Sequence, residues 1–111
     1  MSKVYTVDAE RWASLSIFDQ MGNIYSEVGR SFSAQRRNNP VDCLAATNRA
    51  IDLFDATVDS LVTHKSPKSK EVLRAKEQYL EALNNKSTSQ AAVQSLDRYF
   101  MQFAVAARLN R

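Results

Sequence analysis

A chain of 111 residues with 44% hydrophobic and 24% charged side chains has the length and composition of one globular domain, against collagen-like, disordered or membrane-spanning classes. Fifteen Lys and Arg against twelve Asp and Glu give a modest +3, and a single cysteine excludes an intrachain disulfide framework and fits a reduced, cytoplasmic compartment. No apolar run approaches the roughly 18 residues of a membrane span, and residues 1–10 lack the apolar stretch of a signal peptide.

Residues 3–7 read as a short extended arm. After Asp8, a suitable N-cap, with Glu10 in the first turn, the spacing predicts a helix over about 9–35. Its apolar residues Trp12, Leu15, Phe18, Met21, Tyr25, Val28 and Phe32 advance by three or four. Asn39 followed by Pro40 opens a second helix over 40–63, because a proline at the first helical position gives up no hydrogen bond. Cys43, Leu44, Thr47, Ala50, Ile51, Phe54, Val58, Leu61 and Val62 carry its apolar face.

Ser66-Pro67 repeats the cap-then-proline signal for a third helix over 67–84, with Ser69 as the alternative cap. Val72, Leu73, Tyr79, Leu80 and Leu83 make its face, edged by the aliphatic stem of Lys76. Asn84 and Asn85 end it, since Asn tolerates the left-handed exit from a helix. Ser87 with Gln90 three residues on is a capping-box pattern for a fourth helix over 88–109, whose face is Val93, Leu96, Phe100, Phe103, Ala104 and Ala107. Connections this short leave room only for antiparallel neighbours, so the expected fold is all-α: one up-down-up-down four-helix bundle spanning residues 1–111.

Catalytic constellations are nearly absent, and no enzyme is expected. His64 and Cys43 lie 21 residues apart on one helix, about 30 Å, too far for a nucleophile–base pair. Cys43 fits a small core position and His64 a solvated helix end. Asp52, Asp55 and Asp59 recur at helical spacing, but a two-metal bundle site needs Glu-x-x-His motifs that this chain lacks, so neither metal nor other cofactor is expected. No Gly-rich loop exists to cradle a phosphate.

Both glycines fall inside the first helix, where each costs about 1 kcal/mol relative to Ala. Gly22, Ser26, Gly29 and Ser33 form a ridge of small side chains. It fits close packing against a helix of the same bundle, a seat for a neighbouring subunit, or a ligand groove. Glu27 with Arg30, Arg49 with Asp52, and Arg74 with Glu77 each place an acid and an arginine three apart. Such pairs are either exposed surface pairs or bidentate contacts across a subunit boundary.

Charge is uneven: residues 1–62 carry a net −2 and residues 63–111 a net +5. In an up-down bundle one end gathers Lys3, Lys65, Lys68, Lys70, Arg108 and Arg111, with Arg74 one turn further in, while Arg36, Arg37 and Lys86 sit at the other. Such a cluster either neutralises phosphates in a salt-sensitive way or only keeps the bundle soluble.

Four stretches carry a family resemblance: Leu15 to Arg30 (LSIFDQMGNIYSEVGR), Asn48 to Asp55 (NRAIDLFD), Glu71 to Glu77 (EVLRAKE), and Tyr99 to Ala104 (YFMQFA) followed by Ala106-Ala107-Arg108. Together the chain resembles the small bacterial four-helix-bundle proteins grouped with the ribosomal-RNA intervening-sequence proteins and the accessory variability (Avd-like) proteins of diversity-generating retroelements. The resemblance implies a homo-oligomeric, pentameric ring of bundles with a basic surface. In the retroelement members that ring binds a reverse transcriptase and nucleic acid during mutagenic cDNA synthesis.

The expectation for this chain is therefore a non-catalytic accessory protein. Its nucleic-acid contacts, RNA or DNA, would come from Lys65, Lys68, Lys70, Arg74, Arg108 and Arg111. Its helix or subunit contacts would come from Gly22, Ser26, Glu27, Gly29, Arg30, Arg49, Asp52 and Glu77. The competing expectation is a structural or protein-interaction bundle that binds no nucleic acid.

Overall fold

The computed structural model describes residues 7–84 and 90–109, and all secondary structure in them is helical. Five helices follow in order: α1 (Ala9–Ala13), α2 (Ile17–Arg36), α3 (Pro40–Thr63), α4 (Lys68–Asn84) and α5 (Gln90–Leu109). The expected arm at residues 3–6, Lys86, the Ser87 cap, Asn85, Arg111 and the side chain of Ala107 lie outside the described residues.

The expected first helix is two helices. Asp8 caps α1 as anticipated, accepting from the Arg11 N–H, but the chain breaks at Ser14–Ser16. Ser14 Oγ donates to the Arg11 carbonyl at 2.6 Å, and Ser16 takes an extended conformation (ψ 157°) and accepts from the Asp19 N–H at 3.1 Å. Serine hydroxyls compete with the helical backbone in this way, so two serines two residues apart end one helix and cap the next. Buried Gln20 then seals the break by donating from Nε2 to the Trp12 carbonyl at 2.8 Å.

The remaining boundaries follow the sequence signals closely. Asn39 accepts from the Asp42 N–H at 3.1 Å with Pro40 in the first turn of α3. The α2 exit passes through Asn38 at φ 57°, and the α3 exit through Lys65 at φ 53°. At each exit the amide of the following residue reaches back five positions, Asn39 to the Ala34 carbonyl and Ser66 to the Leu61 carbonyl. Helix α4 starts one residue later than the proline signal suggests, at Lys68.

Side-chain pairings fix the helix directions. Along α2 and α5, Phe18 meets Phe103 and Tyr25 stacks on Phe100, ring centroids 6.5 and 5.3 Å apart, so numbers rise on one helix as they fall on the other. Thr47 with Tyr79 and Asp55 with Lys76 give the same antiparallel sense for α3 and α4. Ser31 with Tyr79 and Gln35 with the Leu83 carbonyl run in parallel sense across the interior, from α2 to α4. Among the described residues the result is an all-α domain of four longer helices and one short one with antiparallel packing contacts.

The core lies where these helices converge. Met21, Ile24, Phe54, Val72, Tyr79 and Phe100 are each at most 2% exposed, and each such burial contributes on the order of 1.5–3 kcal/mol. Tyr79 brings its hydroxyl inside, where it meets Ser31 Oγ at 2.6 Å and Thr47 Oγ1 at 3.5 Å. Burial raises its phenol above the ordinary range, against the lowering effect of those two hydroxyls. Trp12 ties α1 to α3 by donating from Nε1 to Thr57 Oγ1 at 2.9 Å, inside the core.

Three residues expected on apolar faces are exposed instead: Leu44 (63%), Val62 (59%) and Leu73. Periodicity gives the direction of an apolar face but not its width, and these three stand at its margins. Cys43 is half-buried against the core rather than inside it.

Candidate functional site

Helices α2 and α3 place their charged residues on either side of one boundary. Glu27, in the middle of α2, is buried, and its carboxylate needs compensation there. Arg30, one turn on, donates from an Nη to Glu27 Oε1 at 2.7 Å. Arg49 arrives from α3 and donates through Nε to Oε2 and, at 3.5 Å, through its other Nη to Oε1. Burial alone would raise the Glu27 carboxyl, but the hydrogen bonds and charges of Arg49 and Arg30 outweigh it and hold the group below the ordinary glutamate range.

This corrects the expected pairing. Arg49 binds Glu27 from across the helix boundary, not through a local ion pair with Asp52, and the arginines reach a buried carboxylate of their own chain. Asp52 lines a second groove, about 420 Å³, between α1 and α3, together with Asp55, Asp59 and His64. Asp55 is held by Lys76 Nζ at 2.7 Å. Arg74 and Glu77 are both exposed on α4, and no ion pair joins them among the described residues.

The small-residue ridge turns outward. Gly22, Ser26 and Gly29 are exposed, Ser33 is half-buried, and a Cβ built on either glycine meets nothing within 4 Å. Close packing within this chain therefore does not explain the glycines. Instead Gly29 lines a groove of about 550 Å³ between α2 and α3, together with Arg30, Arg37 and Arg49. The expected placement of Arg37 at a bundle end missed this convergence. Its signal was a spacing of seven from Arg30, two helical turns along one face.

At the α3–α4 turn the expected cations Lys65, Lys68, Lys70 and Arg74 are all exposed, as is Arg108 near the end of α5. None of these five forms an ion pair among the described residues. A further surface feature went unread in the sequence: Met101, Val105 and Leu109 stand at i, i+4 and i+8 on α5, exposed at 43%, 45% and 80%. No helix is long and apolar enough to cross a membrane, and no group of three His, Cys, Asp or Glu is placed to hold a metal ion, among the described residues. Helix α3 runs unbroken between Cys43 and His64, which keeps them about 30 Å apart. The chain matches no protein-family model, no curated protein and no solved structure.

Proposed function

We propose that this protein is a non-catalytic accessory bundle, up-down-up-down in topology, that self-associates into a ring and contacts nucleic acid through the α3–α4 turn. The reading rests on one observation above all: Lys65, Lys68, Lys70 and Arg74 stand exposed within ten residues, with no carboxylate paired to them among the described residues. Cations presented in this way neutralise phosphates irrespective of base sequence.

Lys65 adds support of a different kind. It occupies the left-handed exit from α3 (φ 53°), a conformation that favours glycine. The chain carries lysine at this position, best suited to glycine, which keeps a cation at the start of the turn.

The assembly in this reading uses the exposed apolar residues. Met101, Val105 and Leu109 on α5, with Val62 and Leu73, give a monomer apolar surface that a neighbouring subunit would cover. The family resemblance makes the ring pentameric and adds a reverse transcriptase as protein partner. The same apolar residues favour the second reading, a purely protein-interacting bundle.

Multi-angle light scattering, with and without a single-stranded oligonucleotide at low ionic strength, tests the proposal. The expected result is a mass several times the 12.5 kDa monomer, and oligonucleotide binding that weakens as salt rises. A monomer without salt-sensitive binding overturns it; an oligomer that ignores nucleic acid selects the second reading.

A further inference from the structure

The groove between α2 and α3 gathers basic charge. Arg30, Arg37 and Arg49 line it, and Glu27 is ion-paired to Arg30 and Arg49. Asp42, an acid in its lining, accepts from Asn39 Nδ2 at 2.8 Å in the first turn of α3, a neutral partner that leaves its charge in place. Three arginines against Glu27 and Asp42 leave these groups at a net +1. Arg37 has no ion-pair partner among the described residues. Like charges drawn into one concavity repel each other until an anion joins them.

Two of the three arginines are also positioned in advance. A buried carboxylate fixes Arg30 from one helix and Arg49 from the next, so less side-chain freedom is lost when a ligand arrives. Arg30 keeps 65% of its side chain exposed while bonded to Glu27 through a single nitrogen, which leaves the rest of its planar fork accessible. Gly29 adds no side chain to the lining, and the space where its Cβ would stand is open. At about 550 Å³ the space suits a nucleotide-sized ligand better than a bare ion.

We propose that this groove binds a phosphate-type oxyanion, gripped by Arg30 and Arg37 beside Gly29. A terminal phosphate monoester and the phosphodiester of a nucleic acid share that chemistry, and both suit bidentate guanidinium contacts. The site does not rest on the function proposed above. It lies on α2 and the first half of α3, and from Arg49 to Lys65 alone is about 24 Å along the helix.

Isothermal titration calorimetry on the full chain tests it, with adenosine monophosphate, adenosine, and a short oligonucleotide with hydroxyl ends as probes. Adenosine is expected not to bind. Binding of the monophosphate alone assigns the site to a terminal phosphate, and binding of the oligonucleotide alone to the phosphodiester. Arg37→Gln and Arg30→Gln should each weaken the phosphate probe that binds by about tenfold or more, and Lys68→Gln should change monophosphate binding by less than about twofold. Both arginines are exposed, so both variants should fold, and their melting curves verify it. The proposal is overturned if neither phosphate probe binds, or if both arginine variants bind as the parent does. A glutamate-rich peptide that binds through Arg37 while neither phosphate does would overturn it equally.

Discussion

Glu27 sets the electrostatics of the α2–α3 boundary, and its worth depends on pH. Its carboxyl is held below the ordinary glutamate value, so the unfolded chain takes up a proton more readily than the folded one. Its stabilising contribution is therefore complete above about pH 4.3, the unfolded value, and is lost as pH falls through the depressed folded value. At pH 7, Glu27→Gln should cost about 2 kcal/mol by removing the negative charge that Arg30 and Arg49 share, whereas Arg30→Gln at an exposed position should cost less than about 1 kcal/mol. Urea denaturation measures both, and the gap between parent and Glu27→Gln should narrow progressively as pH falls below about 4. A gap of equal size at pH 7 and pH 3 would contradict the assignment. Gly29 makes a second test at this scale. Its alanine variant should melt higher, worth about 1 kcal/mol, because the added methyl meets open space in a helix interior. The same methyl, in the lining of the groove, should weaken phosphate binding there. Greater stability with unchanged phosphate binding would separate the glycine from the groove.

At the scale of elements, the break between α1 and α2 turns a short helix back onto α3 and seats Trp12 in the core. Trp12→Phe removes the donor to Thr57 and should cost about 1–2 kcal/mol, and Ser16→Ala should cost about 1 kcal/mol through the lost cap, both read from chemical denaturation. Asp8, Asn39 and Pro40 announce their helix starts in the sequence because capping is a local interaction. The break itself is hidden, since Trp12, Leu15 and Phe18 keep a three-residue rhythm and all pack on one core on both sides of it. The same distinction runs through the site. Glu27 with Arg30 is readable from a spacing of three, but Glu27 with Arg49 joins residues 22 apart and exists only once α2 and α3 have packed. Glycines in a helix advertise a special contact without saying on which side, and only the folded chain turns them outward.

Across the whole molecule, charge is separated along the chain, net −2 over residues 1–62 and net +5 over residues 63–111. The turn draws on the basic half, while the groove gathers three arginines of the otherwise acidic half, so the molecule carries two basic features of different character. One is a groove in which a buried carboxylate holds two of three arginines; the other is a turn of exposed lysines suited to long-range, sequence-independent attraction. The salt dependence of oligonucleotide binding, compared between the parent and the triple variant Lys65→Ala, Lys68→Ala, Lys70→Ala, measures what the turn contributes. Log K should fall linearly with log salt for the parent, and the triple variant should bind more weakly with a slope shallower by about 2–3. An identical slope in the two proteins, or no salt-sensitive binding by the parent, would contradict nucleic-acid contact through the turn.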